Sequence, residues 1–178
     1  MSATYVIGPP GVGKTTYLQQ LIRRERFVLP PVKVRRLLKG EPLARRDSGV
    51  LDGIHLGVTR PGGFSGTDAL SMGVQPDAIS WARSGANDSL AVYGEGQRLG
   101  NIEFLSALGS TRDLTVVYLT ATDTALDERC ARRGSEQSST WRKGAATRAA
   151  RCAERCADAG IRVVTVDTTE KVPHAVND

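Results

Sequence analysis

The residues best suited to chemistry stand near the start of the chain. Gly8-Pro9-Pro10-Gly11-Val12-Gly13-Lys14-Thr15 follows the spacing G-x-x-x-x-G-K-[ST], directly after the apolar run Tyr5-Val6-Ile7. Glycines at these places let backbone N–H groups turn inward around a phosphate, and the helix that follows adds the positive end of its dipole. This reading gives a nucleotide cradle of Gly8, Pro9, Pro10, Gly11, Val12, Gly13, Lys14, Thr15 and Thr16. Lys14 reaches the β- and γ-phosphates, the Thr15 hydroxyl ligates Mg²⁺, and Thr16 touches the α-phosphate. The expected cofactors are ATP and Mg²⁺.

Four further groups are placed to act on a phosphate held there. Glu95 lies just past the apolar stretch 89–93, where an acid orders Mg²⁺-bound water or takes the proton of an acceptor hydroxyl. Arg98 either clamps an acceptor phosphate or simply begins the next helix. Arg129 and Arg133, with Arg132 between them, share a helix face at i, i+4 before the polar loop 134–140. Kinase lids carry arginines in this way to neutralise the transferring phosphoryl group, whereas a solvated basic helix end is the plainer account. The loop 59–76 holds Arg60, Phe64, Ser65, Thr67 and Asp68. There Asp68 is a second candidate base and Phe64 a platform for a nucleobase. An ordinary long loop capped by Asp68 is the alternative, although a loop of this length usually has a function.

These groups need a scaffold, and hydrophobic patterning supplies one. Short apolar runs at 4–7, 89–93, 114–119 and 161–166 read as strands, and the loosely alternating 50–58 as a strand or an extended loop. Helical spacing follows them: Tyr17, Leu18, Leu21 and Ile22 in a helix ending near Arg26, a helix at 77–84 with Trp81, and one carrying Leu99, Ile102, Leu105 and Leu108. A helix capped by Thr122 or Asp123 runs to Gly134, and another from about Trp141 to Ala159. Residues 32–39 are expected to form a short basic helix. Strands alternating with helices indicate βαβ units around a parallel sheet covered on both faces, with ligands at the carboxyl ends of the strands.

Bulk properties narrow the class. A chain of 178 residues suits a single α/β domain. No stretch approaches the roughly 20 apolar residues of a membrane span, and the N-terminus lacks a basic and apolar leader, so a cytoplasmic protein is expected. The odd set Cys130, Cys152 and Cys156, far in sequence from His55 and His174, reads as buried small side chains rather than a metal site. Net charge is +5, and 18 of the 24 Lys/Arg fall within 23–46 and 129–162. Clusters of this kind attract polyanions, nucleic acid foremost, or else form a solvated helix face and a nucleotide lid.

With these residues in place the chain resembles small P-loop kinases of the nucleoside monophosphate kinase type, through "YVIGPPGVGKTT", "GEGQRLGN" and "ERCARRG". More narrowly, "FSGTDALSMGVQP", "EGQRL" and "RRGSEQSSTWRKG" look like the phage kinases of DNA hypermodification, which phosphorylate 5-hydroxymethyluracil within DNA. The resemblance implies a P-loop kinase fold: a central parallel sheet of about five strands, helices on both faces and a helical lid. It implies an acceptor-binding insert at about 30–84, a lid at about 129–143, and DNA as the acceptor partner. Lys14, Glu95, Asp68, Arg129 and Arg133 would then be catalytic. Arg60, Phe64, Asp68 and Arg98 would bind the substrate, and Thr15 with Glu95, acting through water, would serve the metal. The family pattern calls for an acid after the glycine of the Glu95 motif. Gln97 stands there instead, which shifts metal duty onto Glu95. Two other readings share the ATP-side residues: a kinase of free nucleotides or another small metabolite, and an ATP-dependent binding switch.

Overall fold

Along the first strand, burial alternates between two cores, and this alternation sets the architecture of the computed structural model, which describes residues 1–60, 64–86, 88–134 and 137–170. Strand β1 (Ser2–Ile7) turns Ala3, Tyr5 and Ile7 into one apolar cluster and Val6 into another. Only a sheet covered on both faces makes that use of a period-two pattern. Helix α1 (Lys14–Glu25) covers the Val6 face with Tyr17, Leu18 and Ile22. Helices α2 (Gln75–Arg83), α3 (Ile102–Gly109) and α5 (Ser139–Asp158) cover the other, contributing Trp81, Phe104, Leu105, Cys152 and Cys156.

The remaining elements are β2 (Arg26–Val28), β3 (Val32–Lys33), β4 (Lys39–Arg45), β5 (Leu51–Leu56), β6 (Ala91–Glu95), β7 (Asp113–Thr120), α4 (Asp123–Arg132) and β8 (Arg162–Asp167). Among the described residues β5, β6, β1, β7 and β8 form a five-stranded parallel core in that spatial order. The chain crosses over β1 between β6 and β7, so the carboxyl ends of these three strands open on one crevice. This is the expected parallel sheet, with helices on both faces.

The sheet is larger than the sequence suggests. Antiparallel β4 extends it beyond β5, and β2 and β3 both pair with β4. The helix expected at 32–39 is absent. Pro30 and Pro31 hold the chain extended, Val32 pairs with Gly40, and the return is closed by Val34 and Arg35 N–H groups donating to the Leu38 carbonyl. Leu38 is fully buried and anchors the turn. Leu99 is also buried, but it precedes its helix: Asn101 caps α3 by accepting a bond from the Phe104 amide at 3.1 Å. Thr122 caps α4 in the same way, and Gly134 follows its end in a left-handed turn. All three cysteines are buried and unbridged. Among the described residues no helix is long and apolar enough to cross a membrane.

Candidate active site

The phosphate loop joins β1 to α1. Gly13 occupies the N-cap of α1 with φ 98°, a conformation that glycine adopts without steric cost, and no side chain caps the helix. The first turn therefore presents backbone N–H groups and carries no acidic residue of its own, which makes an anion site. Lys14 lies across the loop and donates from Nζ to the carbonyl oxygens of Gly8 (3.0 Å) and Pro9 (3.1 Å). Burial lowers its pKa, against the pull of Glu95 and Asp68, and the nearby charge of Arg133 pushes the same way as burial. Thr16, by contrast, is exposed.

Parallel pairing brings Glu95 to this loop. Its Cα is in register with Val6, one residue before the end of β1, and its Oε1 accepts a hydrogen bond from Thr15 Oγ1 at 2.9 Å. Glu95 is only 3% exposed. Burial raises its pKa, opposed by Lys14, by the Thr15 bond and by His55. A hydroxyl and a carboxylate in contact at a helix N-terminus form a hard-oxygen donor set, and such donors suit Mg²⁺. Thr15 would hold that ion directly and Glu95 through a bound water, and the ion would neutralise charge on the phosphates.

Asp68 lies on a single 3-10 turn, Thr67–Ala69, and latches the loop 59–76 to the end of β6. Its Oδ1 accepts from the amides of Gln97 (2.8 Å) and Arg98 (2.9 Å). Thr67 Oγ1 donates to the Glu95 carbonyl and lies 2.9 Å from the Tyr5 hydroxyl, which itself donates to the Gly96 carbonyl. The base of this loop is pinched where Gly57 and Gly66 cross. A Cβ on Gly57 would stand 2.1 Å from the Gly66 carbonyl, and one on Gly66 would stand 2.4 Å from Glu95 Oε1. Val58 and Gly66 exchange two backbone hydrogen bonds just above the crossing. Beyond it Arg60 is exposed and Phe64 is 63% exposed. Residues 61–63 lie outside the described residues.

The arginines divide. Arg129 binds Thr168 through its hydroxyl and carbonyl and also donates to the Thr169 carbonyl. Thr168 Oγ1 in turn lies 3.0 Å from the carbonyls of Val12 and Thr120. Arg129 therefore braces the segment after β8 against the phosphate loop, and its guanidinium is occupied in doing so. Arg132 and Arg133 are exposed at the end of α4. Part of the expected lid, residues 135 and 136, lies outside the described residues. Arg142 ties α5 to α4 through Asp127 at 2.9 Å.

Two features escape sequence reasoning. A cavity of about 390 Å³ opens beside Gly8, Gly96 and Gln97, and α5 lines its far wall with Arg148, Arg151 and Arg155. Their i, i+3, i+7 spacing was visible within the second basic stretch, but nothing in the sequence said which way that face points. The other feature is a buried pair, Glu41 and His55, with Glu41 Oε2 2.9 Å from His55 Nδ1. The Thr59 amide and hydroxyl both donate to Glu41 as well, at 2.8 and 2.7 Å. Burial alone would raise the Glu41 carboxyl; the bonds from His55 and Thr59 outweigh it and hold the pKa below the ordinary value.

An uncapped helix after a glycine loop, a lysine across it and a buried Thr–Glu contact on the adjacent parallel strand define a P-loop phosphoryl-transfer site. A family model described as P-loop Nucleotide Kinase3 matches residues 2–177, and the chain belongs to that family. It is a phosphotransferase of the P-loop kinase superfamily, whose members generally use ATP and Mg²⁺. No curated protein matches the sequence.

Proposed function

We propose that this kinase transfers the γ-phosphoryl group of ATP to the hydroxymethyl group of 5-hydroxymethyluracil in phage DNA, as a step in thymidine hypermodification. The observation that carries the reading is the 390 Å³ cavity between the phosphate loop and the arginines of α5. It has room for one nucleotide and excludes a duplex, so a base in DNA would have to be flipped out to enter, at a cost of a few kcal/mol. Three arginines on one wall suit the flanking phosphates. Exposed cations of 23–46, among them Arg24, Lys33, Arg35 and Lys39, add positive charge elsewhere on the surface.

In this reaction the acceptor oxygen forms a bond to the γ-phosphorus as the bond to the bridging oxygen of ADP breaks. Lys14 and Arg133 neutralise the charge that spreads over the transferring group. The hydroxyl proton passes to Glu95, whose raised pKa suits a base. Asp68 positions the 97–98 backbone along the cavity, and Arg98 and Arg60 meet the acceptor strand. Phe64 stacks on a base beside the flipped one. Arg129 supports the site from behind, through Thr168.

Labelled ATP supplied with hydroxymethyluracil DNA, ordinary DNA and free nucleoside monophosphates tests the proposal. Label should enter the modified DNA. Label confined to the monophosphates would establish the small-molecule kinase instead, and ATP turnover indifferent to every acceptor would favour a binding switch.

A further inference from the structure

His55 is 5% exposed, and one of its two ring nitrogens is accounted for by Glu41. The other, Nε2, is buried and has no hydrogen-bond partner among the described residues. A buried, unpaired ring nitrogen is destabilising unless something meets it. Glu41 cannot be that partner twice over, because its oxygens already serve Nδ1 and Thr59. Strand register then shows what His55 faces. On β5, Ile54 and Leu56 point into the core beneath α2 and α3, so His55 points to the opposite face, under α1. His55 is in register with Tyr93, and Glu95 stands two residues further along the same face of β6.

On that face lies a small cavity whose lining includes Thr15, Leu18, Gln19, His55, Thr59 and Glu95. Its volume is about 10 Å³, the space of one water molecule. Four of its lining side chains besides His55 are polar, enough for the two to four hydrogen bonds that a buried water requires.

We propose that Glu41 and His55 form a positioning pair for Glu95, acting through one water held in this cavity between His55 Nε2 and the Glu95 carboxylate. Glu41 fixes the histidine with its proton on Nδ1. Nε2 then accepts a hydrogen bond from the water, which donates its other hydrogen to Glu95. The carboxylate is thereby fixed from below by the water and from the side by Thr15, and it presents one orientation to the metal of the bound nucleotide. The inference rests on the nucleotide-side assignment given above and is independent of the acceptor.

The decisive variant is His55→Asn. Its amide keeps a donor at the Nδ1 position for Glu41 and removes only the Nε2 group. Binding of ATP with Mn²⁺, followed by calorimetry and by the Mn²⁺ EPR signal without any acceptor, supplies a readout apart from turnover. His55→Asn should melt near the wild-type temperature and bind the metal–nucleotide about tenfold more weakly, the size expected for an outer-shell partner. In a Glu95→Gln background the same change should add nothing, because the pair acts through Glu95. Wild-type affinity in His55→Asn, or a full tenfold loss added on top of Glu95→Gln, would overturn the proposal. A wild-type chain that binds no ATP with Mn²⁺ would instead overturn the nucleotide-side assignment.

Discussion

The two sides of the crevice are built from different materials. On the nucleotide side, backbone and buried polar groups do the holding: an uncapped helix, a lysine on two carbonyls, and Glu95 on Thr15. On the acceptor side, long charged side chains and an exposed aromatic ring stand on helix faces and a pinched loop. The first surface is preorganised for one ligand that never changes. On the function proposed above, the second orders its side chains only when an acceptor arrives.

Variants that affect one side and spare the other would sharpen this contrast, and variants that affect both would break it. Lys14→Ala should have the largest effect, lowering kcat with any acceptor on the order of 10³-fold by labelled-phosphate transfer. Glu95→Gln should lower transfer roughly 10²- to 10³-fold while leaving the free protein as stable or more so. The sign follows from burial. The folded pKa of Glu95 is raised, so its contribution to stability is present below the ordinary carboxylate pKa and is lost as pH rises through the folded value. A neutral amide avoids that loss, and thermal melts at pH 7 and at pH 4 should show the variant's advantage only at pH 7.

On the other side, Arg151→Ala should raise the KM for the acceptor about tenfold, leave the KM for ATP alone and flatten the salt dependence of acceptor binding. A shift in both KM values would show that α5 serves the nucleotide as well. Phe64→Ala removes a side chain that is 63% exposed, so melting should not change; if the ring stacks on a base, acceptor affinity should fall by about 1–3 kcal/mol in a binding titration. The smallest effect is expected for Tyr5→Phe, which deletes a hydroxyl bonded to Thr67 and Gly96 and should lower stability by about 1 kcal/mol in urea unfolding. If it also halves acceptor turnover while sparing ATP binding, the latch belongs to the acceptor side.

The same division explains what could be read from the chain. The cradle was legible because its function is local: Gly8 to Thr16 are consecutive, and helix geometry alone arranges them. Four of the five parallel strands were legible for a similar reason, since β1, β6, β7 and β8 hold short continuous apolar runs, whereas LDGIHL of β5 alternates loosely and fits a strand or an extended loop. Glu95 was legible only as an acid just past the apolar run 89–93, and its register with Val6 comes from a pairing of β6 with β1 that is non-local. Beyond that, legibility fails. Residues 32–39 carry helix-forming Arg, Leu and Lys, but the two prolines before them and the edge offered by β4 win the segment for the sheet. Arg129 and Arg133 look equivalent at i, i+4, yet only long-range packing reveals that Thr168 and Thr169 claim the first. His55 showed no signal at all, because its meaning lies in Glu41, a neighbour across an antiparallel pair that no periodicity announces.

The crossing of Gly57 and Gly66 has a consequence for how such an enzyme can change. Neither position tolerates a side chain, so the two ends of the loop are held at one spacing whatever lies between them. Arg60 and Phe64 in the intervening segment are exposed and can be exchanged without touching Glu95 or Tyr5. If this segment reads the acceptor as proposed, a lineage carrying the joint can change specificity there and keep the same phosphate chemistry, and both glycines should be retained as it does so.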